Sequence, residues 1–144
     1  MKKSIYEIMN HEYLMTNGLG GYSFSTLDQV NCRKYHSLYT VSYNPPIERM
    51  HLISKMEEVF EVAGQRYPLT YENVTGNIET ETHFASYKHQ GVISQTFQLN
   101  TPDISVTRTI AMAYGTNLLA VRYEIDSKVE ATLNLIPWFN FRDH

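Results

Sequence analysis

From Ser37 onward the chain is a succession of β-forming runs, each cut short by turn residues. This rhythm restricts what the chain can fold into more than any other feature. The predicted strands are Ser37–Tyr43, His51–Val62, Ile78–Tyr87, Val92–Leu99, Ile104–Ala113, Leu118–Ile125 and Glu130–Ile136. Between them lie Asn44-Pro45-Pro46, Ala63-Gly64-Gln65, His89-Gln90-Gly91, Asn100-Thr101-Pro102-Asp103, Gly115-Thr116-Asn117 and Asp126-Ser127-Lys128. Gly and Asn reach positive φ, whereas Pro fixes φ and removes a ladder donor, so each cluster ends a strand for a physical reason. Turn signals every 8–12 residues or about that are the spacing of a sandwich. In Ile104–Ile110 and Leu118–Ile125 apolar and polar residues largely alternate, which gives one buried and one wet face. The expected fold is all-β, an antiparallel β-sandwich in one domain over residues 1–144, or the N-terminal portion of a larger sandwich. Met50–Phe60 also fits a helical period through Leu52, Ile53, Met56, Val59 and Phe60, with strand the preferred reading.

With 144 residues, 42% of them hydrophobic, the chain can bury a single core. Twelve basic and fifteen acidic residues are scattered rather than gathered into a stripe, which argues against nucleic acid as a partner. After Lys2 and Lys3, the residues Glu7, His11 and Glu12 interrupt any apolar run of signal-peptide length, so neither a secretory nor a membrane segment is expected. Cys32, the single cysteine, cannot form an intramolecular disulfide, and no CxxC or His/Cys motif suggests zinc ligands. No metal or cofactor is expected, and a reducing cytoplasm is the expected location. Eleven tyrosines against one tryptophan suit pleated, half-buried surfaces and also sugar-stacking faces.

Two segments stand apart. Thr16-Asn17-Gly18-Leu19-Gly20-Gly21-Tyr22 holds three glycines and an asparagine in seven positions, a composition suited to a tight loop or a main-chain edge for a ligand or partner domain. It lacks GxGxxG spacing and a following Gly-Lys-Ser/Thr, which excludes a phosphate cradle. Asn31-Cys32-Arg33-Lys34-Tyr35-His36-Ser37-Leu38 then places a guanidinium, a phenol and an imidazole where the first predicted strand begins. Arg33 can anchor a neighbouring loop and His36 can donate to a sugar hydroxyl, while a structural role for both is the alternative.

These two segments, with Asn44-Pro45-Pro46-Ile47-Glu48-Arg49 and Leu52-Ile53-Ser54-Lys55-Met56-Glu57-Glu58, follow the order and spacing of one family. The sequence resembles the N-terminal domain of bacterial and archaeal type glycogen debranching enzymes, most strongly over Glu12–Glu58 and more weakly to the Pro137–His144 segment. It departs from the family's pattern in five places. Tyr13 stands where Trp is usual, Cys32 where Thr is usual and Ser37 where Gly is usual; Tyr39 interrupts an aliphatic strand, and His144 follows Asp143 directly.

The resemblance implies a β-sandwich that precedes an (α/α)6 barrel, with the acids that hydrolyse the α-1,6 branch linkage on the barrel and not in this chain. It implies a non-catalytic domain that packs on that barrel and contributes to glycogen or α-glucan binding. Asn17, Gly20, Gly21, Tyr22, Arg33, Tyr35 and His36 are the candidate sugar-contacting residues. The alternative is a stand-alone carbohydrate-binding or protein-interaction sandwich, in which an uncovered sheet edge would favour a homodimer. A complete small hydrolase would need a carboxylate pair about 5–10 Å apart. Glu57 and Glu58 point to opposite faces of a strand, and Asp143 sits in a turn-like context.

Overall fold

Alternation of inward and outward side chains builds two antiparallel sheets. The computed structural model describes residues 2–3, 7, 10–70, 80–81 and 83–144. The larger sheet contains β2 (Glu12–Thr16), β3 (Tyr22–Thr26), β4 (Ser37–Asn44), β5 (Glu48–Val62), β6 (Gln65–Pro68) and β12 (Thr132–Asp143). Its order is β12-β5-β4-β3-β2, with β6 also paired to β5. The smaller sheet, β11-β10-β9-β8, is formed by β8 (Phe84–His89), β9 (Ile93–Asn100), β10 (Asp103–Met112) and β11 (Leu119–Ser127). A two-stranded pair joins β1 (Lys2–Lys3) to β7 (Thr80–Glu81).

The two sheets pack face to face as a sandwich, in agreement with the expected fold class. Near one end, Tyr13, Met15, Leu27 and Leu38 meet Ile93 and Ile110. Toward the other, Phe60 and Leu69 meet Phe97, Leu99, Ile104 and Val106. Strand parity explains the smaller sheet's share, because Ile104, Val106 and Ile110 fall on one face and Ser105, Thr107 and Thr109 on the other.

The same parity puts Arg108 inward, between the two apolar clusters, and it is only 2% exposed. It lies opposite Gln95 on β9 and Tyr123 on β11. Its guanidinium donates to Glu58 Oε1 at 3.0 Å, to Gln95 Oε1 at 2.7 and 3.1 Å, and to Gln29 Oε1. Tyr123 donates to the same Glu58 oxygen at 2.7 Å, and Gln95 Nε2 donates to the Leu27 carbonyl at 2.7 Å. One charged network thereby joins both sheets and the connection after β3.

Met50–Phe60 is strand, which removes the helical alternative. Its backbone groups are taken up on both sides, by β12 along Met50–Glu61 and by β4 and β6 in turn. The hairpin from β5 to β6 turns through Ala63 and Gly64, with φ of 50° and 80°. Of the predicted Ile78–Tyr87 strand, Ile78, Glu79 and Thr82 lie outside the described residues, and pairing with β9 begins at Phe84. The β2–β3 hairpin has no counterpart among the predicted strands. Its inward residues on β3 are Ser23 and Ser25 rather than aliphatic side chains, so the period-two apolar signal is missing there.

Candidate functional site

The glycine-rich segment is the turn between β2 and β3, and Asn17 organises it. Asn17 is fully buried. Its Oδ1 accepts the backbone N–H groups of Leu19 and Gly21 at 2.9 and 3.0 Å, and its own N–H bonds the Gly21 carbonyl at 3.2 Å. Its Nδ2 donates to Thr116 O at 3.2 Å and Asn117 Oδ1 at 3.0 Å, in the turn between β10 and β11. Gly115 N returns a bond to the Asn17 carbonyl at 2.7 Å. Asn17 therefore pins one loop to another and directs both ends of its amide into the protein.

Gly18 and Gly20 have φ of +79° and +96°, a region that L side chains rarely enter. A Cβ at Gly18 would lie 2.6 Å from the Tyr114 ring, and one at Gly21 would lie 2.7 Å from Asn17 Nδ2. The glycines allow close packing within the fold.

A different set of rings converges on the outer face of the larger sheet. Tyr22 points away from the core, because its neighbour Ser23 faces inward to meet the Tyr13 hydroxyl at 3.2 Å. Pairing then sets Tyr22 beside Thr40, Thr40 beside His51, and His51 beside Arg142, a row across β3, β4, β5 and β12. His144 stacks on His51 at 5.4 Å between centroids and on Tyr35 at 4.7 Å, while Tyr22 meets both imidazoles edge-on. The Tyr22 hydroxyl donates to the Tyr35 carbonyl at 3.2 Å, and Arg142 Nη2 holds the Lys34 carbonyl at 2.7 Å. Tyr35 is 44% exposed. Arg49 Nε, beside Gly20, is buried and has no hydrogen-bond partner among the described residues.

Burial, with the positive charge of Arg142, His144 and Lys34, lowers the His51 pKa to about 4. Burial likewise pushes the Tyr22 hydroxyl up. A histidine held neutral in the fold but free to protonate at its usual pKa when unfolded withdraws stability as pH falls. Urea unfolding midpoints are therefore expected to drop between about pH 6.5 and pH 4, and His51→Gln should flatten that slope. An unchanged slope in the variant would remove His51 as its source.

Arg33 and His36 meet elsewhere, beside β2. The Glu12 carboxylate accepts from Arg33 Nε at 2.5 Å and from His36 Nε2 at 2.8 Å. His36 Nδ1 accepts the Cys32 backbone N–H at 3.1 Å and lies 3.8 Å from Cys32 Sγ. The His36 side chain is wholly buried against Phe24, and Arg33 is half exposed. Of the seven candidate residues, the fold thus gathers Tyr22 and Tyr35 on the ring face, keeps Asn17, Gly20 and Gly21 in the adjoining turn, and sends Arg33 and His36 to a separate cluster.

His51, Arg49, Glu12 and Cys32 were not among the candidates. Each depends on cross-strand register or on a contact about 20 or more residues away, which no local motif signals. Glu57 and Glu58 do not form a catalytic pair: Glu58 is in the core with Arg108, while Glu57 accepts the Trp138 indole N–H at 3.0 Å.

Fold and surface together define an antiparallel β-sandwich domain with rings and cations gathered on one outer face. The family model described as "Glycogen debranching enzyme N terminal" matches residues 11–144, and the chain belongs to that family. Searches of curated proteins and of solved structures returned no match.

Proposed function

We propose that this chain is a non-catalytic domain that packs on an α-1,6-glucosidase barrel and contributes to α-glucan binding through the Tyr35–His144 face. The observation that carries this reading is the arrangement of that face. A half-exposed phenol ring lies flat against an imidazole, with the Lys34 ammonium over the phenol 5.1 Å from its centroid and Arg142 bonded to the Lys34 carbonyl. Flat rings match the apolar faces of glucose units, and the neighbouring cationic side chains match the hydroxyls. Membership in a glycogen debranching enzyme N-terminal family supports an α-glucan as the ligand and a catalytic domain as the partner.

Packing on a second domain has support of its own. Leu135, Ile136, Trp138, Phe139 and Phe141 on β12 are each between 41% and 71% exposed. Among the described residues β12 is also an edge strand, paired with β5 alone. An exposed apolar edge invites a cover, and the barrel is the cover proposed; a homodimer through this edge is the rival.

Calorimetric titration of the purified chain with maltooligosaccharides and a branched limit dextrin tests the sugar reading, with light scattering for mass. A monomer with saturable binding, weakened about tenfold in Tyr35→Ala, is expected, equivalent to about 1.4 kcal/mol. Heat-silent titrations of a well-folded monomer would refute glucan contact by the isolated domain. A dimer that monomerises on Phe139→Asp would favour the rival cover.

A further inference from the structure

We propose that Glu12, Cys32 and His36 form a binding site for a single thiophilic divalent cation, with zinc the biological case. The three residues supply a carboxylate oxygen, a sulfur and an imidazole nitrogen, and these atoms lie within 4.8 Å of one another. This is a zinc donor set, and three protein ligands leave a fourth position open to water. The ligands come from two places in the chain. Glu12 begins β2, whereas Cys32 and His36 lie four residues apart in the connection from β3 to β4, so only the folded chain brings them together.

The imidazole is already positioned. Its side chain is fully buried, its Nε2 is 2.8 Å from the Glu12 carboxylate, and its Nδ1 faces both the Cys32 N–H and Cys32 Sγ, the latter at 3.8 Å. On metal binding Nε2 would exchange its hydrogen bond to Glu12 for coordination, the ring proton passing to Nδ1, so that Glu12 and His36 meet the same ion. Cys32 is partly exposed, which leaves a path for the ion. Coordination would replace the thiol proton, released to solvent, with the metal.

The competitor is Arg33, which now holds the Glu12 carboxylate. Its side chain is 48% exposed, and a solvent-screened ion pair of this kind is readily exchanged. In the metal-free fold the Cys32 backbone N–H bonds His36 Nδ1 at 3.1 Å, while Cys32 Sγ lies 3.8 Å from the same nitrogen. Cys32→Ser therefore leaves that bond in place and removes only the sulfur.

The test is titration of the chain with cobalt(II), followed by displacement with zinc. A thiolate-to-cobalt charge-transfer band in the near ultraviolet is expected, lost on zinc addition and absent in Cys32→Ser. Zinc should also slow modification of Cys32 by a thiol reagent. Glu12→Gln should weaken cobalt binding about tenfold or more, and Arg33→Ala should tighten it several-fold, with far-ultraviolet circular dichroism confirming that each variant is folded. No band at millimolar cobalt, together with thiol reactivity indifferent to zinc, would overturn the site. So would a band of unchanged affinity in folded Glu12→Gln, which would reduce the site to a thiol binding metal alone.

Discussion

Replacing Arg108 by alanine is expected to destabilise the fold by about 3–5 kcal/mol, the cost of leaving a buried ionic partner uncompensated. Glu58 is fully buried, and its Oε2 has no hydrogen-bond partner among the described residues, so the carboxylate depends on Arg108 and Tyr123 through Oε1. Gln95 and Gln29 would lose their donor at the same moment. Burial already pushes the Tyr123 hydroxyl far above the ordinary tyrosine range, and Glu58 adds to the shift, so the hydroxyl stays protonated and keeps donating to Glu58.

The double replacement Arg108→Met with Glu58→Met should behave differently. It removes both charges and their desolvation together, and is expected to recover most of the loss. Urea unfolding of the parent, the single variants and the double variant measures the coupling. Additive losses in the double variant would show that the pair is not the energetic unit described.

Asn17→Ala is expected to cost about 2–3 kcal/mol, since it strands the buried Gly21 amide, the partly buried Leu19 amide and the groups across the loop junction. Asn17→Asp separates two roles. It keeps an oxygen for the two amides but loses the donors to Thr116 and Asn117, so the turn should close while its tether to the β10–β11 turn fails. Hydrogen exchange distinguishes them: Leu19 and Gly21 should exchange faster only in the alanine variant, and Gly115 in both. Protection unchanged in Asn17→Ala would refute the organising role. Because the Asn17 amide faces inward, an Asn17→Ala chain that still folds should keep its oligosaccharide affinity, whereas Tyr35→Ala should not.

Strands β4, β5, β9 and β10 were readable because each buries part of one face, whereas β6 and the Pro137–Asp143 half of β12, where a turn-like context was expected, were not. Ile93, Phe97, Ile104, Val106 and Ile110 recur at period two and are cut by Gly, Pro or Asn at the turns. The β2–β3 hairpin was not readable, since β3 turns serines toward the core and relies on hydrogen bonds, such as Ser23 to Tyr13, in place of apolar contact. Within the candidate site, the glycine-rich turn and the Tyr22 and Tyr35 rings were legible as unusual local chemistry. The ring partners His51 and His144 were not, because stacking is a consequence of register.

By itself the sequence determined the all-β class, the turn positions and the special character of Thr16–Tyr22, for these depend on local dihedral preference and side-chain alternation. Only the tertiary structure decided that Arg108 is the centre of the core and not a surface cation. It also turned Asn17 inward and placed His36 with Glu12 and Cys32 instead of with Tyr35. The reason is the same in each case. Burial, charge pairing and ligand geometry arise between residues far apart in the chain, and their separation is set by how two sheets pack, which no short window of sequence encodes.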